Sequence, residues 1–409
     1  MSTRTHRRLA AVALVGGLAL AAGACGSSSS TKPSGQAPSS SAPSGSAAPT
    51  ADKVTALPTL TGKGTTVTLN TQTAAALTSL KVMVAPSGMA TATKTAGGDT
   101  AVTFPITSGY AEIHSDTSHK PGNIVGSIQH YGSGLTFTGG GKSLNVSDFV
   151  VDPGNSMLYA TVGGKPDIPL LTLDGTAVKA GMAGGDVTLD GTVAKLTATA
   201  AMALDSTFGT TAVTPGLPLG TVHLDLAGTP NMYSDKTTEI SRVDGQTTSV
   251  ALDAGTAAAL KSLGVAVAPE GKATFDSASS TIGFPITGGF AAIHSDKSYQ
   301  PGYIDGVLIH QGSGITFSKG GKSLAITDFV VDPGGSTLSG TVGGKVGVPI
   351  ATLNGAPLQV TTPGGTVHLD GTIVNLTPTA AMALDTTFGT TAVKPGLPLG
   401  VAHIIVAGS

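Results

Sequence analysis

The sequence has one cysteine, no tryptophan and few aromatic side chains, which make up only 4% of its 409 residues. A single thiol excludes an internal disulfide and a thiolate metal cluster. The aromatic shortage leaves little for carbohydrate-stacking platforms. Arginine is almost missing: Arg4, Arg7 and Arg8 sit at the start, and Arg242 alone follows. Bidentate recognition of phosphate leans on arginine, and nucleic-acid binding needs a basic face. Beyond the first 24 residues the chain carries 19 basic and 24 acidic side chains, so nucleic acid is not an expected partner.

What is present begins with an export address. Met1–Arg8 is basic, and Leu9–Ala22 is an uncharged run rich in Leu, Ala and Val. That run is shorter than the roughly 20 apolar residues a membrane-spanning helix needs. A basic start, a short apolar core and small residues after it spell a secretory signal over residues 1–24. The stretch Ala21-Ala-Gly-Ala-Cys25 resembles the bacterial lipobox, in which the cysteine is acylated and becomes the new N-terminus. The resemblance makes Cys25 the lipid attachment site and places the protein on the extracytoplasmic face of the cell membrane. Residues 25–63, dominated at first by Ser, Pro, Ala and Gly, read as a disordered tether that reaches toward a cell wall.

The rest is one unit written twice. Phe104-Pro-Ile-Thr recurs as Phe284-Pro-Ile-Thr, and the same offset of 180 maps His114 to His294, His130 to His310 and Asp152 to Asp332. Earlier in each unit the offset is 183, mapping Leu77 to Leu260 and Pro86 to Pro269. The expected domains are 64–227 and 247–407, joined by a solvated connector at 228–246. A period this long means whole domains rather than a solenoid. Alternating Val/Thr segments, frequent glycine turns and two short helical stretches per unit, at Thr73–Leu80 and after Thr199 in the first, define the class. Each unit is expected to be a mainly β, antiparallel sandwich or open barrel with two short helices.

The blocks FPITGG at Phe284, IQHYGSGLTF at Ile128, DFVVDPG at Asp148 and Asp328, and AAMALDSTFGTTA at Ala200 resemble the HtaA-domain family. These are cell-surface domains of actinobacteria, often in tandem, and nearly all of each unit is covered. The resemblance implies a surface-displayed β-domain and raises haem as a cofactor. Family members hold haem through a tyrosine near the domain start, supported by a histidine and a second aromatic. Val67–Pro86 and Val250–Pro269 contain no tyrosine, so that ligand has no counterpart here.

The histidines remain the candidate ligands. If Pro121-Gly122 centres a hairpin turn, His114 falls beside Gln129 and one step from His130, a pair for haem or a transition metal repeated at His294 and His310. Asp148 and Asp152, repeated as Asp328 and Asp332, lie four apart on one strand face and offer a sparse calcium site. Asp before Pro-Gly is equally ordinary turn chemistry. His114-Ser115-Asp116 has the residue types of a hydrolase, but neighbours on a strand face opposite ways and cannot form a relay. The expected function is therefore a non-enzymatic binding or structural module at the cell surface, with haem or metal capture as the alternative and hydrolysis a distant third. Replacing the lipobox cysteine, Cys25→Ser, is expected to release the protein into the medium. Retention of the variant in the membrane fraction would remove the lipid attachment.

Overall fold

The computed structural model describes residues 52–409, apart from 61, 121, 184–185, 229, 244–245, 300–302, 364–365 and 407–409. The expected signal, Cys25 and most of the tether lie outside the described residues. The described residues are mainly β, in two large antiparallel sheets, one for each repeat, with four short helices. No described helix is long and apolar enough to cross a membrane.

Each sheet curls on itself around one long strand, Ile124–Gly139 in the first repeat and Ile304–Lys319 in the second. A register shift between His130 and Gly134, matched by one between His310 and Gly314, bends each strand into two halves. The first half pairs with Ser108–His114 or Gly288–His294. The second half pairs with Met83–Gly88 or Ala266–Gly271, which draws the sheet into an incompletely closed barrel. Such a bulge sharpens the local twist, and here it lets one strand serve two surfaces.

The helices stopper the barrels. α1 (Thr71–Ser79) is capped by Asn70 and α2 (Ala198–Phe208) by Thr197, whose hydroxyl also holds the Pro169 carbonyl. α3 (Ala254–Ser262) and α4 (Pro378–Phe388) repeat them, capped by Asp253 and Thr377. α2 begins two residues ahead of the expected cap at Thr199, because Thr197 is the position whose extended backbone lets its oxygen accept from Ala200 N–H. Gly209 and Gly389 end α2 and α4 in the left-handed conformation. Ala201, Leu204 and their counterparts Ala381 and Leu384 turn into the barrel cores.

Two expectations about connections are corrected. Val54–Leu57, assigned to the tether, is a strand between Ser108–His114 and Asn231–Tyr233, with Ala56 and Leu57 fully buried. Its alternating residues satisfy an edge that would otherwise be open. The connector 228–246 is not solvated: Asn231–Tyr233 joins the first sheet and Thr237–Ile240 the second, and Val243 is fully buried. Its charges are engaged as well, since Arg242 lies over the Tyr159 ring and pairs with Asp167 at 3.0 Å.

The two repeats share a core of their own. Val54, Tyr110, Val125, Val150 and Tyr233 pack with Phe290, Val307, Ile309 and Val330. At its centre Tyr110 and Phe290, equivalent by the repeat offset, stack at 5.5 Å and 15°. Gly126 and Gly306 sit against them at φ +132° and +126°, where a Cβ would be driven into the Tyr110 or Phe290 carbonyl. Gly126→Ala is expected to cost at least about 2 kcal/mol in urea denaturation. Gly140→Ala, also at positive φ but with open space around it, should cost only about 1 kcal/mol. Equal costs would show that backbone strain, not close approach, fixes Gly126.

Candidate functional site

The expected histidine pair is not formed. The hairpin register sets Ile113 against Ile124 and Ser108 against Gln129, and His114 N–H bonds Asn123 O at 2.8 Å. The turn therefore spans 115–123, six residues out from the pairing a turn at 121–122 would give, and Pro121 lies outside the described residues. Paired residues share a face, so His114 falls with Tyr110 and Glu112 on the inter-repeat side. His130 is roughly 20 Å further along and faces the barrel interior. The second copy does the same with His294 and His310.

His130 and His310 are the inner histidines. Each is almost fully buried, with Nε2 at 2.7 Å from a threonine hydroxyl, Thr65 or Thr248. His310 Nδ1 lies 3.2 Å from the Phe329 carbonyl, which can only accept, so Nδ1 carries the proton and Nε2 accepts from Thr248. Burial holds both rings down at about 4, neutral at physiological pH. Each lines an apolar cavity. The first, of about 120 Å³, is walled by Leu135, Phe137, Phe149 and Leu171; the second, of about 480 Å³, by Ile315, Phe317, Phe329 and Leu260, and it opens beside α3 at Asp253 and Lys261.

His114 and His294 are the outer histidines. The His114 Nδ1 is 2.6 Å from Asp52 Oδ2, and His294 Nδ1 is 3.1 Å from Asp235 Oδ1. The same carboxylates accept from Ser115 and Ser295 hydroxyls, so the serines face the acid and not the imidazole, and no nucleophile relay forms. After each histidine a turn closes, His119 N–H to Asp116 O or Tyr299 N–H to Asp296 O, both 3.1 Å. These turns fold His119 onto His114 and Tyr299 onto His294, each pair stacked at 3.6 Å. Beneath them lie the fully buried Glu112 and Asp305, and Glu239 reaches in from the strand Thr237–Ile240. Burial opposes a charge on His114, but the carboxylates of Glu112, Asp52 and Glu239 outweigh it and hold the ring up at about 8. His294 is raised against burial in the same way by Asp305 and Asp235. Burial pushes the Asp305 carboxyl upward.

The four candidate calcium ligands are used separately. Asp148 and Asp328 adopt φ +56° and +54°, which breaks the strand alternation expected to align them with Asp152 and Asp332. Their carboxylates accept from Gly132 and Gly312 N–H at 2.8 Å and brace the bulges of the long strands. Asp152 accepts from Asn155, and Asp332 from Gly335 N–H and the Thr59 hydroxyl. Burial pushes Asp332 up to about 6. His223 and His403 lie in the strands Pro218–Leu226 and Pro398–Val406, opposite Asp190 and Asp370.

Sequence reasoning missed Glu112, His119, Glu239 and Asp305. A signal was present in the differences between copies: by the repeat offsets they stand against Ala292, Tyr299, Ala56 and Val125.

No family model matches the chain, and no curated protein matches it. Among solved structures it is similar to the C-terminal domain of HtaA from Corynebacterium glutamicum, at 10% identity. That similarity covers 41% of this chain and 99% of that domain, with a TM-score of 0.28. No residue role is transferred from it.

The neutral inner histidines make a pH signature. Their folded pKa of about 4 lies below the unfolded value of about 6.5, so their contribution is full above pH 6.5 and is lost as pH falls toward 4. Each stands to forfeit up to roughly 3 kcal/mol across that window. His130→Gln and His310→Gln are therefore expected to flatten the fall of the urea midpoint between pH 6.5 and 4. A fall parallel to that of the unaltered protein would contradict the assignment.

Proposed function

We propose that this chain is a non-enzymatic binding protein, carried to the outer face of the cell membrane by a lipid on Cys25. Its ligand is a small amphipathic molecule with a long apolar body, held in the second repeat. The observation that carries this reading is a difference between copies of one domain. The cavity beside His310 in the second repeat measures about 480 Å³, where the equivalent cavity beside His130 measures about 120 Å³. Leu171, which lines the first cavity, is replaced by Ala351 at the equivalent position. An apolar void costs stability, and occupancy offsets that cost. The polar groups are set at two ends, His310 and Thr248 deep inside, Asp253, Thr256 and Lys261 at the mouth. An apolar body with a polar head at the mouth fits that distribution.

Haem is the second reading, favoured by the presence of His310 in the wall of this cavity. It requires the Thr248 hydroxyl to give up Nε2. The absence of tryptophan allows a clean test, because Leu260→Trp places a single reporter in the wall. Lauric acid is expected to shift its emission saturably at micromolar concentration, with no change in a Leu77→Trp protein. If hemin instead gives a saturable Soret shift that His310→Ala abolishes, the ligand is haem. If neither molecule is bound, the cavity is not a ligand site.

A further inference from the structure

Three side chains, Glu112, His114 and Glu239, bring donor atoms within 4.8 Å of one another where the turn ending at His119 meets the strand Thr237–Ile240. Glu239 Oε2 lies 3.0 Å from His119 Nε2, and Glu239 Oε1 lies 3.5 Å from His114 Nε2. Glu112 Oε2 is 3.4 Å from the same His114 nitrogen. The two His114 contacts are too long for charge-assisted hydrogen bonds, which run about 2.7–2.9 Å. They match instead the edge of a tetrahedron, about 3.3 Å when a central cation makes bonds of about 2.0–2.1 Å to nitrogen and oxygen.

Burial sharpens the point. Glu112 is 0% exposed and His114 4%, yet Glu112 Oε2 and His114 Nε2 have no hydrogen-bond partner among the described residues. Among those residues, the ion-pair partners of Glu112 and Glu239 are histidines alone. A buried carboxylate oxygen and a buried imidazole nitrogen that face each other without a hydrogen bond are costly unless a cation sits between them.

We propose that Glu112, His114 and Glu239 form a binding site for one divalent transition-metal ion of the zinc class, seated between the two repeats. The surrounding groups suit that role. Asp52 holds His114 through Nδ1 at 2.6 Å, which fixes the tautomer that leaves Nε2 free for a metal. The Tyr110 hydroxyl donates to Glu112 Oε1 and so leaves Oε2 available. One imidazole and two carboxylates neutralise a dication and, with solvent in a fourth position, match zinc rather than calcium, which takes six to eight oxygens. The His119 side chain is 21% exposed and gives an ion a route from solvent.

Among the described residues the site exists once. In the second copy Ala292 stands where Glu112 does, and by the repeat offset Ala56 stands where Glu239 does, so His294 lacks both carboxylates of the site. Two ligands come from the first repeat and Glu239 from a strand of the second sheet, so an ion would clamp the sheets together. This inference is independent of the cavity ligand.

The test uses the purified chain, stripped with a chelator and titrated with Co²⁺ and then Zn²⁺. One equivalent of cobalt is expected to give the visible absorption of a four-coordinate centre, which zinc displaces while raising the melting temperature. Glu112→Gln and Glu239→Gln should each abolish the band and weaken zinc by about 100-fold, and Asp52→Asn by about 10- to 100-fold. His223→Ala, which alters an exposed histidine outside the site, should leave uptake unchanged. Failure to take up a stoichiometric ion at micromolar concentration would overturn the proposal. So would uptake that persists in the folded Glu112→Gln, Glu239→Gln double variant. Either result would leave an ion-pair cluster only.

Discussion

Tyr110 and Phe290 occupy the same position in the two copies, and equivalent residues can touch only near the axis that relates those copies. Their stacking at 5.5 Å places that axis in a buried core. The strand carrying each ring is itself closely approached within its own hairpin. Gly126 and Gly306 leave room for the Tyr110 and Phe290 carbonyls there, at a φ that other residues rarely adopt. Once the hairpins meet, every outward residue of Ser108–His114 and Gly288–His294 becomes an interior residue. A face that would be the solvated side of an isolated half-barrel is here a second core.

In that second core the buried acids differ between the copies. Along one rung Glu112 stands between Ala56 and Val125, while the equivalent Ala292 stands between Glu239 and Asp305. Acid and apolar residue have changed places. Directly opposed carboxylates on neighbouring strands repel, and no rung carries such a pair across the central hairpin. The repulsion that remains is between copies, where Glu112 helps raise Asp305 beyond the effect of its burial. A cation between Glu112 and Glu239 would relieve part of it. Two identical copies would have placed like charges symmetrically about the axis, so divergence is a physical requirement of burying acids there.

The β class, the duplication and the four helices were legible because each rests on local pattern: alternation, recurring strings, capping residues and glycine stops. The hairpin register was not. Pro121-Gly122 is a strong turn signal, but Asp116 captures Ser118 through both backbone and hydroxyl and starts a tighter turn earlier. That choice moved His114 away from His130 and onto the other face. The strands Val54–Leu57 and Thr237–Ile240 were hidden for a different reason. Each is short and lies beside polar sequence, and only the neighbouring hairpin edge makes it a strand. Of the candidate site residues, His114 alone enters the metal-like cluster, because its partners come from a turn and from a strand of the other sheet.

The four histidines singled out from the repeats thus divide by environment. The inner pair, enclosed by apolar walls and one threonine each, is held neutral at about 4. The outer pair sits among carboxylates, and His114 is held at about 8. When one residue type is driven apart in this way, its environments assign different roles. The inner rings support barrel walls, and the second barrel has emptied beside one of them. The outer rings face an acidic seam, and the first copy alone has kept a second imidazole there. Duplication permits this separation: the cavity beside the inner histidine can widen in one copy while its counterpart stays small, and a polar cluster can form in one copy while the shared core holds both.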